Sequence, residues 1–131
     1  MKRKLALTVC LMLMILLCAA CGGEGGWAYD LPNDYRLHCV DGQVCVEQNG
    51  GQALGYGVSA FCEGARFVGV RQTKSTETGD ETCWFLIDTE KGTTYPAETE
   101  EDFRELCEHF SVDDFGDWTD VTGRPHGAHA L

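Results

Sequence analysis

Residues 35–48, YRLHCVDGQVCVEQ, are two alternating runs on either side of Asp41-Gly42. A two-residue hairpin turn needs positive φ at both central positions, and Asp-Gly supplies this at low steric cost. That turn sets the register: Val40 faces Gln43, Cys39 faces Val44, His38 faces Cys45, Leu37 faces Val46 and Arg36 faces Glu47. Because side chains alternate along a strand, Leu37, Cys39, Val44 and Val46 share one face, the one that turns toward a core. Arg36, His38, Gln43 and Glu47 share the other, with Arg36 and Glu47 as a cross-strand ion pair. Cys39 and Cys45 fall on opposite faces, so no disulfide is expected between them.

The β character continues outward from this hairpin. Upstream, Trp27, Tyr29 and Leu31 alternate before Pro32, which predicts a short edge strand. Downstream, Asn49-Gly50-Gly51 reads as a loop. The runs Gly57–Cys62 and Ala65–Gln72 are apolar on both faces, the signature of central strands. Thr73 to Glu81 is polar and is expected to be a mobile loop. Cys83 to Ile87 reads as a buried strand, residues 88–92 turn it back toward Thr93-Thr94-Tyr95, and Pro96 is expected to end that strand. Thr99 is a helix N-cap, with Asp102 in the capping-box position and Glu100 and Glu101 complementing the helix dipole. Phe103, Leu106, Cys107 and Phe110 form one apolar stripe. A helix of about eleven residues does not hold alone in water, so this one must dock on the sheet. Past Ser111 the pattern is irregular, with Phe115 and Trp118 tucking back. The predicted fold is α+β: an antiparallel meander of five to six strands with one C-terminal helix packed on one face, spanning residues 27–118, with 119–131 as a flexible tail.

The first residues belong to a different kind of segment. Met1-Lys2-Arg3-Lys4, the apolar run Leu5–Leu17 and then Cys18-Ala19-Ala20-Cys21 have the three-part layout of an export signal. The uncharged stretch, about 16 residues, is shorter than the ~20 that a helix needs to cross a bilayer. The Ala19-Ala20-Cys21 junction resembles a lipobox, with Cys18 where the family usually has Leu. The resemblance implies cleavage after residue 20 and acylation of Cys21. Gly22-Gly23-Glu24-Gly25-Gly26 then reads as a flexible tether. Each buried acyl methylene contributes roughly 0.8 kcal/mol, so two or three chains on Cys21 would hold the protein at the extracytoplasmic face of the cell membrane.

Loss of residues 1–20 removes Lys2, Arg3 and Lys4 and no acid, leaving seven Lys and Arg against twenty-one Asp and Glu, a formal charge of −14. That charge argues against a nucleic-acid partner, which is bound through clustered Lys and Arg. It also repels anionic headgroups, so the membrane contact is expected to run through the anchor alone. A monomer is expected.

The mature chain keeps Cys39, Cys45, Cys62, Cys83 and Cys107 besides Cys21, without a C-x-x-C among them. They are expected to act mostly as small buried hydrophobes, with room for one bridge that the sequence does not assign. His126 and His129 have chelating spacing but sit in a Gly- and Pro-containing tail. Asp113, Asp114, Asp117 and Asp120 lack the spacing of a calcium loop. Cys107 and His109, two apart on a helix, point away from each other. His38 opposite Cys45 is better placed, but no orienting acid is evident and surface packing is the expectation. Trp27, Trp84 and Trp118 are expected in core or rim packing. No catalytic, cofactor or metal residue is assigned from the sequence.

The lipobox, Trp27-x-Tyr29-x-Leu31-Pro32-x-x-Tyr35, Phe67-Val68-Gly69-Val70, Phe85-Leu86-Ile87-Asp88-Thr89 and the Glu101-Asp102-Phe103 helix start, in that order, resemble a family of small uncharacterised bacterial lipoproteins. The resemblance covers about residues 27–112 and implies a domain of unknown function, with no catalytic residue to carry over. The functional expectation is a non-enzymatic binding or scaffolding module that meets another envelope component. The alternative is an inhibitor or immunity-type protein with an acidic binding surface.

Overall fold

The computed structural model describes residues 25–131, so the signal segment, Cys21 and the first part of the tether lie outside the described residues. Ten strands form two antiparallel sheets. In chain order they are β1 (Trp27–Asp30), β2 (Tyr35–Val40), β3 (Gln43–Gln48), β4 (Gly51–Leu54), β5 (Val58–Glu63), β6 (Phe67–Thr76), β7 (Gly79–Asp88), β8 (Thr93–Ala97), helix α1 (Glu100–His109), β9 (Thr119–Asp120) and β10 (His129–Ala130). The first sheet runs β10-β1-β2-β3-β4 and the second β8-β7-β6-β5-β9.

This is a β-sandwich-like fold, and it corrects the expected single meander of five to six strands with one packed helix. The chain leaves the edge strand β4 through Gly55-Tyr56-Gly57, with Gly57 at φ 104°, and β5 opens a new sheet instead of pairing with β4. Trp27, Leu37, Val44 and Val46 from the first sheet then meet Phe61, Val68, Val70 and Ile87 from the second in the main core. The two-sided apolarity of β6 and β7 has the same cause. Val68, Val70 and Ile87 face the other sheet, whereas Phe67 and Leu86 point outward to Ala97 and Phe103, beneath α1. Gly69 lies under this helix layer: a Cβ there would stand 2.6 Å from Cys62 Sγ and 2.9 Å from Phe103 Cζ.

The 35–48 hairpin has the register read from its turn, pair for pair. Other segments depart from expectation. Asn49 and Gly50, both at positive φ, make a tight turn, so Gly51, expected in the loop, already pairs with β3 and opens β4. Thr73 to Glu81 is no loop, because β6 and β7 stay paired as far as Thr76 and Gly79. Hydroxyls stitch this ribbon, with Thr73 Oγ1 3.3 Å from Thr82 Oγ1 and Ser75 Oγ 3.1 Å from Asp80 Oδ1. Pro96 sits inside β8, which is tolerated because β8 is an edge and owes no donor on its open side. β1 is not an edge, since β10 covers it.

The segment 119–131, expected to fray, is laced onto both sheets. β9 pairs with β5, β10 pairs with β1, and Val121 is buried in the main core. Each pairing is only two residues long, too short for a sequence period to show.

Helix α1 starts as read: Thr99 Oγ1 accepts a hydrogen bond from the Asp102 amide at 3.1 Å. Its stripe docks on β7 and β8. At the end of β7, the buried Asp88 carboxylate accepts from Arg66 Nε (3.0 Å) and Nη2 (2.8 Å) and from the amides of Glu90 and Lys91 (both 3.2 Å). It thereby satisfies the turn into β8 as well as the Arg66 guanidinium.

Candidate functional site

Helix α1 lies against the outer face of the second sheet, whereas the outer face of the first carries an organised polar group. The alternation that turns Leu37 and Val46 inward turns Arg36 and His38 of β2 and Cys45 and Glu47 of β3 outward. β2 is the middle strand of its sheet and β3 lies beside it, so four side chains stand on a backbone paired on both sides.

Glu47 organises the group. Its Oε2 accepts from Arg36 Nε at 3.1 Å and Nη2 at 3.0 Å, and its Oε1 lies 2.8 Å from His38 Nδ1. Burial opposes the charge on Glu47, but hydrogen bonds and positive charge from Arg36 and His38 outweigh it, holding the carboxyl below its ordinary range. Cys45 is only 1% exposed. Burial raises its thiol pKa and the Glu47 charge adds to this, against weaker lowering by a hydrogen bond from the Gln52 side chain and by Arg36.

One nitrogen of His38, Cys45 Sγ and one oxygen of Glu47 all lie within 4.8 Å of one another. Among the described residues, no other three His, Cys, Asp or Glu ligating atoms gather this closely. The order Cys45, His38, Glu47 is that of a nucleophile, base and orienting acid, and the sulfur, nitrogen and oxygen donors are also a metal-ligating set. A resting nucleophile would need an exposed thiolate stabilised by positive charge. Cys45 is the reverse: covered, and held as the neutral thiol.

The sequence pattern marked His38 opposite Cys45 but not the acid. The signal was there, because Glu47 is two residues from Cys45 on the same strand and hence on the same face. Pairing it with Arg36 hid its second oxygen. Glu47 serves both partners.

The remaining candidates stand apart. His129 lies in β10 opposite Ala28, and His126 is in the exposed turn before it. Asp114 accepts from the Ala65 amide at 2.8 Å and Asp120 from the Thr122 amide at 2.7 Å, so both tie down backbone. Cys107 packs in the helix layer while His109 is exposed. Trp27 is in the main core, and Trp84 and Trp118 are half-buried in the helix layer. Cys39, Cys45, Cys62, Cys83 and Cys107 are all free thiols. Burial pushes the Cys62 thiol up to about 12. The lipidation residue Cys21 lies outside the described residues.

No known protein family, curated protein or solved structure matches the chain.

Proposed function

We propose that this chain is a lipid-anchored envelope protein: a non-enzymatic binding module, tethered through acylated Cys21 at the extracytoplasmic face of the cell membrane, that meets its partner with the outer face of β1–β4. The observation that carries this reading is the asymmetry of the sandwich. α1 occupies one outer face, while the other presents Arg36, His38, Glu47 and Gln52 on paired strands. Rigid strands hold a recognition surface more reproducibly than loops do. A groove between Gln43, Tyr56, Thr73 and Lys74 is open and gathers no acid, histidine or cysteine, which also favours binding over chemistry there.

The test is a photo-crosslinking residue placed in the full chain in its native membrane. Replacing Gln43 or Gln52, on the outer face, should give an adduct of one defined mass. Replacing Glu105 on α1 should not, and Cys21→Ser should release the chain and abolish the adduct. A Cys21→Ser chain retained at the membrane like the parent, or adducts equally frequent from all three positions, would overturn the reading.

A second reading has its own support. Glu98, Glu100, Glu101, Asp102, Glu105, Glu108, Asp113, Asp114 and Asp117 are all exposed around α1, with Arg104 as the one Lys or Arg among residues 98–117. Such a layer fits an inhibitor or immunity-type protein that covers a basic enzyme or toxin. In that case the Glu105 position gives the adduct, and raising the salt concentration abolishes it.

A further inference from the structure

We propose that His38, Cys45 and Glu47 form a binding site for a divalent transition-metal ion of the zinc class on the outer face of the β2–β3 hairpin. Such a site needs only the hairpin, so it stands whether or not the chain is anchored.

The donor set selects the metal. A thiolate sulfur, an imidazole nitrogen and a carboxylate oxygen suit zinc, cobalt(II) or nickel(II), whereas calcium and magnesium require shells built of oxygen. Bonds of about 2.0–2.3 Å in a tetrahedron place neighbouring donors roughly 3.5 Å apart. Here the His38–Glu47 pair is at 2.8 Å and no donor pair exceeds 4.8 Å, so side-chain rotations of about an ångström close the shell.

Charge explains why a buried thiol belongs in this place. Thiolate and carboxylate together cancel the two charges of the ion, and His38 ligates as the neutral imidazole. Arg36 keeps the second oxygen of Glu47, the outer-shell arrangement that fixes a ligating carboxylate. On binding, the Cys45 S–H bond breaks, its proton goes to solvent and the freed sulfur lone pair forms the metal–sulfur bond. Gln52 is exposed, so its side chain can turn from the sulfur to water. Three protein donors leave a fourth position for water or for a group from a bound partner.

Cobalt(II) is the probe, added to the full chain in detergent with a thiol-free reductant. One equivalent should produce a thiolate-to-cobalt charge-transfer band together with the visible absorption of a tetrahedral site, and one equivalent of zinc should bleach both. Cys45→Ser should abolish the charge-transfer band, while Cys107→Ser keeps it. His38→Gln and Glu47→Gln should each weaken cobalt binding by about tenfold or more. No band in the parent, a band surviving Cys45→Ser, or undiminished affinity in both His38→Gln and Glu47→Gln would overturn the site. Far-ultraviolet circular dichroism checks that each variant is folded. Should Cys45→Ser not fold, X-ray absorption at the zinc edge of the zinc-loaded parent replaces it: one sulfur beside nitrogen and oxygen ligands supports the site, and a shell without sulfur refutes the proposal.

Discussion

Replacing Phe103 by alanine should detach helix α1 and leave the sandwich standing. Phe103 is 5% exposed and is the one buried residue of α1. Its ring lies over Gly69 and packs with Trp118 at 5.4 Å and with Phe115 at 6.4 Å between centroids. Truncating a buried Phe costs about 3–5 kcal/mol from lost transfer energy and the cavity left behind. The helix has little else to hold it, because Leu106, Cys107 and Phe110 are only partly buried and a ten-residue helix is marginal in water. The loss should therefore appear first as local opening. Hydrogen exchange read by mass spectrometry should show residues 100–110 losing protection while β2, β3 and β6 keep theirs. Urea unfolding followed by fluorescence reads both layers, since Trp84 and Trp118 report the helix layer and Trp27 the main core. Gly69→Ala supplies a second arm. Its added Cβ presses on Phe103 and on Cys62 Sγ, so it should destabilise the parent by about 1–3 kcal/mol and the Phe103→Ala chain by less. Uniform loss of protection in both sheets of Phe103→Ala, or a cost below about 1 kcal/mol against the range expected for a buried Phe, would refute this view of a dependent outer layer.

The Asp88 carboxyl is held below its ordinary range chiefly by hydrogen bonds from Arg66, which outweigh its burial. A depressed folded pKa contributes stability that is present above the unfolded value and lost as pH falls through the folded one. Asp88→Asn should cost about 1.5–3 kcal/mol at neutral pH, the usual worth of a hydrogen bond to a charged group, and its stability gap to the parent should close below about pH 4 in urea titrations. A gap that persists into acid would mean that shape, not charge, matters there. Tyr29 joins the two sheets: its ring packs on Phe61 at 4.9 Å, and its hydroxyl donates to Glu63, a bond that raises its pKa to about 12. Tyr29→Phe should cost about 1 kcal/mol and remove a phenol titrating at about 12 from the ultraviolet absorbance titration, and no change in that titration would refute the contact.

Both the register of the hairpin and the start of the helix were legible in the sequence because each rests on local chemistry. Asp41-Gly42 can form one tight turn, and Thr99 with Asp102 can cap one helix. The division into two sheets was not legible, since alternation says which side chains share a face but not what that face meets. Val68, Val70 and Ile87 read as buried either way. The 73–81 ribbon was missed because a pair of strands standing in water has no apolar face to betray it, and its Thr-Ser content was the weaker cue. Strands β9 and β10 are set by tertiary pairing alone. At the site, alternation already placed His38, Cys45 and Glu47 on one face. What it lacked was the knowledge that a single carboxylate serves Arg36 and His38 at once.

The joint between tether and domain follows from the same packing. Gly26 O accepts from the Leu131 amide at 3.0 Å, and a Cβ on Gly26 would stand 2.4 Å from Cys39 O, so only glycine fits between β2 and the C-terminus. The backbone is therefore already held in place at residue 26. From there the chain runs into a strand paired on both sides, with β2 along its whole length and with β10 at Trp27 and Ala28. Separating β1 from its sheet therefore breaks two ladders at Trp27 and Ala28 instead of one. The last residues of the chain thus earn their place by closing the strand through which an anchored domain would be held.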